Sequence, residues 1–292
     1  MTGEEIAEWL TDHPGIMAYI CLLLCGSLVS FITLIVRNRN SNRMGRCPVT
    51  TWPLSYTDFA LFIFIMLVWS LGSGLAIINF NTWITGNSTV PDTRVVVIAG
   101  TVMQLGMLYI FLRFRFYHRS PNEGSLSPQI LSLGQSCFLG LFYFLASLPV
   151  VYVVSFAWTG LIEYLRTIGF NIDLPVQDAV LLIQETDDPI AFFGMMVLAI
   201  IVAPLVEENI FRAGVYRFFK GKVSIAASLV ISGTIFGIIH GNLLSLPGLI
   251  TVGVCLGIAY ELSGSLRVPI FFHAFFNLNS IILFLAMPDG LT

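Results

Sequence analysis

Eight stretches of this chain, at about 15–36, 58–80, 95–112, 136–159, 190–210, 223–241, 246–262 and 267–287, are almost wholly apolar. A helix crosses the hydrocarbon layer with roughly 20 apolar residues, and each stretch is long enough, or nearly so. Only 11% of the 292 residues are charged and the mean hydropathy is +0.86. Soluble domains carry about 25% charged residues, so an ordinary core could not hide this surface. The expected fold class is all-α, a polytopic membrane bundle of about eight transmembrane helices. A net charge of −3 gives no reason to expect a nucleic-acid partner. The five cysteines lack zinc-knuckle spacing, and their odd number argues against a disulfide framework. The first 14 residues are acidic, with no Lys or Arg, so a signal peptide is not expected there.

Positive charge sets the orientation. Arg37, Arg39, Arg43 and Arg46 follow the first span, and Arg113, Arg115 and Arg119 follow the third. Arg212, Arg217, Lys220 and Lys222 follow the fifth, and Arg267 separates the seventh and eighth. These loops share one side and hold 12 of the 14 Lys and Arg, with only Arg94 and Arg166 opposite. An integral, multi-pass protein of the cell membrane with both termini outside is expected. Residues 160–189 form the only long outer loop, either partly interfacial helix or solvated. Spans one to three are poor in intramembrane polar groups and spans five to eight are rich in them. The expected organisation is an accessory bundle of about three helices in 1–130 and a core of about five in 136–288.

A charge at the bilayer centre costs about 2.5–3.5 kcal/mol on insertion scales, so it persists when paired, hydrated or functional. The last four spans contain Glu207, Glu208, Arg212, His240, Glu261, His273, Asn277 and Asn279. Glu208 and Arg212 stand four apart and share a helix face; Glu207 points about 100° away. His273 and Asn277 share a stripe of span eight. Gly233, Gly237 and Gly241 form a small-residue ridge beside His240, which lets another helix approach closely. Depth poses a problem: His273 lies six residues past Arg267, only about 9 Å of rise. Meeting Glu207 requires a dipped seven–eight turn or a protruding five–six linker. Singly, each polar group has a structural explanation: a brace, a helix–helix hydrogen bond, interhelical glue. Glu261 reads as solvated at the interface, His13 and His118 as surface groups, and Asn279 has no evident partner. Together, one carboxylate, two imidazoles and an amide on three spans are the parts that water-driven acyl chemistry needs. The carboxylate serves as general base, and the other groups hold the water and stabilise an oxyanion.

In order along the chain, EENIFR fits the pattern EExxxR, FGIIH fits FxxxH and HAFFN fits HxxxN. With the stretch GIAYELSGSLRVPIFFHAFFN, these motifs make the chain resemble the CAAX protease and bacteriocin-processing family of intramembrane proteases, over about 140–285. The resemblance implies an intramembrane endopeptidase. By motif position Glu207 would activate water held by His240, His273 and Asn277 would stabilise the oxyanion, and Glu208 and Arg212 would brace the helix. No cofactor is expected; zinc on the two His and Glu residues is the alternative, although HExxH is absent. The expected partners are membrane lipids and a peptide or lipidated protein substrate, approached from the cytoplasmic side. Competing readings are a non-catalytic immunity or scaffold protein, a zinc-dependent membrane protease, and a transporter. The last is disfavoured because no inverted repeat is visible.

Overall fold

The computed structural model describes residues 9–39, 49–85, 93–118, 131–170 and 186–286. Among the described residues eight helices form the bundle: α1 Pro14–Arg39, α2 Tyr56–Thr85, α3 Thr93–Tyr117, α4 Leu133–Thr167, α5 Pro189–Lys220, α6 Ile225–Ile239, α7 Leu246–Ser263 and α8 Arg267–Ala286. The described residues contain no strand. Seven of the helices are long and apolar enough to cross a membrane. The exception is α6: its 15 residues rise about 22 Å at 1.5 Å each, short of a layer of about 30 Å. The chain is a multi-pass helical membrane protein.

Local chemistry fixes the helix ends. Ser132 and Gln135 form a capping box at the start of α4. Ser224 Oγ accepts the Ala227 N–H at the start of α6. Gly241 takes φ +64° immediately after α6, and Gly264 takes φ +68° after α7; left-handed residues of this kind end helices without a Cβ penalty. Asp188 caps α5 through Ile190 N–H, with Pro189 at the first helical position. Arg94 also donates to Asp188, and these bonds, that from Arg94 foremost, hold its carboxyl below the usual range. This pair joins α3 to α5 at the end away from the basic loops.

The fifth span is longer than its hydropathy suggests. Residues 190–210 are followed by continuous helix to Lys220, because Glu208 and Arg212 neutralise each other internally and do not mark a water boundary. Arg212 is therefore a buried core residue and not a loop charge. Removing it from the basic side leaves 11 of 14, and the asymmetry stands. The outer segment 160–189 is divided: α4 runs on to Thr167, and 171–185, with Asp173, Asp178 and Glu185, lie outside the described residues.

At the basic end, the segment before α2 is driven into the bundle. Trp52 is 1% exposed and meets Phe62, Phe111 and Phe114 edge-on. Arg217 donates to the Thr50 carbonyl and hydroxyl, both at 2.6 Å, and Trp52 N–H bonds the Arg217 carbonyl. Glu261 does not fit the solvated reading. It is 2% exposed, pairs with Lys220 at 2.6 Å and accepts from Tyr216 at 2.6 Å. A buried carboxylate needs such partners, and they come from the end of α5. One apolar cluster runs from Trp52, Phe62 and Phe111 to Phe211, Phe236 and Phe272, so packing is continuous across residue 130. Trp52→Ala is expected to cost about 3–5 kcal/mol, measured by thermal unfolding in detergent.

Close contact between α6 and α7 depends on glycine. A Cβ on Gly233 would lie 2.9 Å from Val254 N and 3.0 Å from Ile250 O, and one on Gly253 would lie 2.8 Å from Gly233 Cα. Backbone cannot swing aside as a side chain can. Gly233→Ala is expected to force the pair apart at a cost of about 1–3 kcal/mol, read as a lower Tm together with lost activity.

Candidate active site

Glu207 and Glu208 lie on a short α-helical piece, Ala203–Ile210, between two π-helical turns, Leu198–Val202 and Phe211–Tyr216. Such turns recur at functional sites, and Pro204 accounts for the first. Ala203 N–H bonds Leu198 O in the wider i→i+5 register, so the next carbonyl, Ala199, faces Pro204 nitrogen, which has no hydrogen. Asn277 fills the vacancy: its Nδ2 donates to Ala199 O at 2.8 Å. One amide proton of Asn277 is thereby committed to α5.

Glu208 is fully buried. Its Oε1 accepts from Arg212 Nη1 at 3.0 Å and from His273 Nδ1 at 2.9 Å. Arg212 Nη2 donates to Gly253 O at 2.9 Å, and its guanidinium sits 4.7 Å from the Phe236 ring centre, a cation–π contact. Arg212 bonds Gly253 and Lys220 bonds Glu261, a step of eight residues in the same sense on each helix, which sets the parallel register of α5 and α7. The depth conflict is resolved on α8. His273 reaches Glu208 although it lies only six residues past Arg267, and the Arg267 guanidinium donates to Leu131 O at the foot of α4.

The other carboxylate faces both histidines. Glu207 Oε2 is 4.0 Å from His240 Nε2 and 4.0 Å from His273 Nε2. It is a buried oxygen that meets no hydrogen-bond donor. His240 Nδ1 donates to Phe236 O at 2.7 Å, so a neutral His240 ring presents a bare Nε2 towards Glu207. The Phe236 ring also borders both imidazoles, with centroids at 4.7 Å and 5.6 Å. All six residues singled out by the motifs thus fall in one neighbourhood. Glu207 stands 13 residues before the end of α5, about 20 Å of rise and well inside a hydrocarbon layer. His240, His273 and Asn277 line a cavity of about 500 Å³.

Several participants carried no sequence signal. The Glu208–His273 contact and the Gly253 and Ala199 carbonyls arise from helix register. Asn279 does have partners: Tyr19 donates to its Oδ1 at 2.9 Å, and it shares a hydrogen bond with Tyr152. His118 is half-buried, 3.8 Å from Asp58 and stacked on Phe114. His13 is an exposed group, as expected.

Fold and composition define the class, a polytopic helical membrane protein. Residues 189–279 match the family model described as type II CAAX prenyl endopeptidase Rce1-like, which agrees with the resemblance drawn from the three motifs. A Bacillus subtilis (strain 168) protein named "Putative membrane peptidase YdiL" is 32% identical over 89 residues. That alignment covers 30% of this chain and 36% of the relative. No solved structure matches the chain.

Proposed function

We propose that the chain is an intramembrane endopeptidase of the cell membrane, with its basic loops inside and both termini outside, in which Glu207 activates water for attack on a peptide carbonyl. The observation that carries this reading is the 4.0 Å gap from Glu207 Oε2 to His240 Nε2. Two acceptors at that separation are bridged by a water that donates a hydrogen to each at about 2.8 Å, subtending roughly 90°. Held between Glu207 and His240, such a water keeps a lone pair free for the carbonyl carbon. Glu207 takes a water proton as the C–O bond forms, then passes it to the leaving amine as the C–N bond breaks.

His273 serves the oxyanion. Its Nδ1 is held by the Glu208 carboxylate at 2.9 Å, and its Nε2 edge lies 4.0 Å from Glu207 Oε2, placed to donate to the oxyanion. A donor in this water-poor interior is worth more than in solution. The second amide proton of Asn277 is available for the same oxygen. Glu208 and Arg212 orient His273 and touch no substrate.

Zinc fits the spacing less well. Zinc–nitrogen and zinc–oxygen bonds are about 2.0–2.2 Å, so ligand atoms 4.0 Å apart on one ion would open to roughly 140°, far from tetrahedral. Among the described residues no three His, Cys, Asp or Glu side chains form a metal-holding group. Full activity is therefore expected after treatment with 1,10-phenanthroline, measured on a fluorogenic apolar peptide in detergent. Cleavage in H₂¹⁸O should place one ¹⁸O in the new carboxylate without a trapped acyl-enzyme. Chelator-sensitive hydrolysis would overturn the water-only reading, and absence of hydrolysis of any peptide or lipidated protein would overturn the enzyme.

A further inference from the structure

We propose that the substrate reaches this site from the end of the bundle opposite the basic loops, as an unwound and uncharged internal stretch of polypeptide lying between α4 and α8. The substrate class rests on the hydrolytic reading above; the direction of access does not.

The cavity lies on one side of the histidines. Its walls are α4 from Leu148 to Thr159, the turn between α6 and α7 with the start of α7, and α8 from His273 to Phe284. Every one of these segments lies on the side of the histidines away from the basic end, and exposed Thr159 and Ser245 stand at the mouth. Towards the basic end the bundle is shut. A Cβ on Gly140 would lie 2.6 Å from Phe271 Cβ and 3.0 Å from the Phe272 nitrogen, so α4 and α8 touch there. Phe144 and Phe272 fill the space above that contact. Among the described residues the far end is open because two helices are short. The 18 residues of α7 rise about 27 Å and α6 about 22 Å, whereas α4 has 35 residues. The α6–α7 turn therefore stops below its neighbours, and Trp158 Nε1 fastens it to α4 through Leu243 O at 3.0 Å.

The walls indicate what enters. Tyr152, Ser155 and Thr159 on α4 stand at intervals of three and four residues, and so do His273, Asn277 and Ser280 on α8; all six line the cavity. Two stripes of hydrogen-bonding groups thus face one space, from the histidines to the mouth. A helical substrate satisfies its own backbone and needs no such track. An unwound peptide in the hydrocarbon layer needs a partner for each N–H and C=O. Tyr152 is held in place by Asn279, itself fixed by Tyr19. Apart from His240, Ser245 and Asn279 the rest of the lining is apolar, and among the described residues no Lys, Arg, Asp or Glu belongs to it. A free carboxyl terminus would enter without a counter-charge, at a cost of several kcal/mol, so the segment is internal. With the basic loops inside, the mouth faces away from the cytoplasm, which reverses the approach expected from sequence.

Two measurements test this. In a cysteine-free background, Thr159→Cys and Lys222→Cys are each exposed to a membrane-impermeant maleimide. Thr159→Cys is expected to label in intact cells and Lys222→Cys only in inverted vesicles. The reverse pattern overturns the direction of access whether or not the protein cuts anything. Next, an apolar peptide with both termini blocked is compared with the same peptide carrying a free carboxyl terminus. The blocked peptide is expected to be cut faster by on the order of tenfold or more, and bulky alkylation of Thr159→Cys should slow it comparably. Equal rates overturn the internal-segment claim. Hydrolysis of neither peptide overturns the hydrolytic reading and this substrate class with it, while the labelling still decides the mouth.

Discussion

Glu207→Gln is expected to lower kcat for peptide hydrolysis by about 10²–10⁴-fold, the usual contribution of a positioned general base, while leaving Tm and peptide affinity near wild type. The amide is nearly isosteric with the carboxylate, and Glu207 bonds no protein donor whose loss would loosen α5: its Oε2 lies 4.0 Å from each imidazole and is buried without a partner. What the substitution removes is the capacity to take a proton from water. The measurement is a single-turnover assay beside a thermal melt. Hydrolysis at the wild-type rate would remove Glu207 from the chemistry.

The second large effect concerns stability. Arg212 and Glu208 are both fully buried, 3.0 Å apart, and removing one partner of such a pair costs about 3–5 kcal/mol because the other charge stays buried alone. Arg212→Leu is therefore expected to unfold at a much lower temperature than wild type. Replacing both, Glu208→Leu with Arg212→Leu, should recover much of that loss, since a pair of apolar residues leaves no stranded charge. Activity should not return with the fold, because His273 Nδ1 loses the carboxylate that orients it. A double variant as unstable as Arg212→Leu would contradict the pairing. A stable and fully active one would show that Glu208 does not position His273.

The sequence was most readable where one element declared itself. Helix number, the three motifs and their order followed from runs and spacings along single helices, and the structure brings the six motif residues to one neighbourhood, although α6 is shorter than the span its apolar run suggested. Misreadings arose where a residue's partner sits on another helix. Glu261 looked solvated because its neighbours on α7 offer nothing, yet Lys220 and Tyr216 reach it from α5. Span five looked finished at residue 210 because charge density rises there, although two of those charges cancel in the interior. Pro204 hinted at a break in the helix ladder; that the break would be mended by Asn277 depends on how α8 is set against α5. Trp52 follows a loop that reads as a plain connector, and only packing reveals it as a core residue. The direction of access proposed above has a related origin. It depends on where α4 and α8 touch at Gly140 and where they part, a relation between two helices 130 residues apart in sequence.

The most direct test is an experimental map, at a resolution that resolves ordered water, of the protein in a lipid nanodisc at neutral pH. The account predicts one water-sized feature within hydrogen-bond reach of Glu207 Oε2 and of an imidazole Nε2, with no heavier scatterer in its place. A dry gap, a four-coordinate metal ion, or Glu207 turned away from His240 and His273 would contradict it.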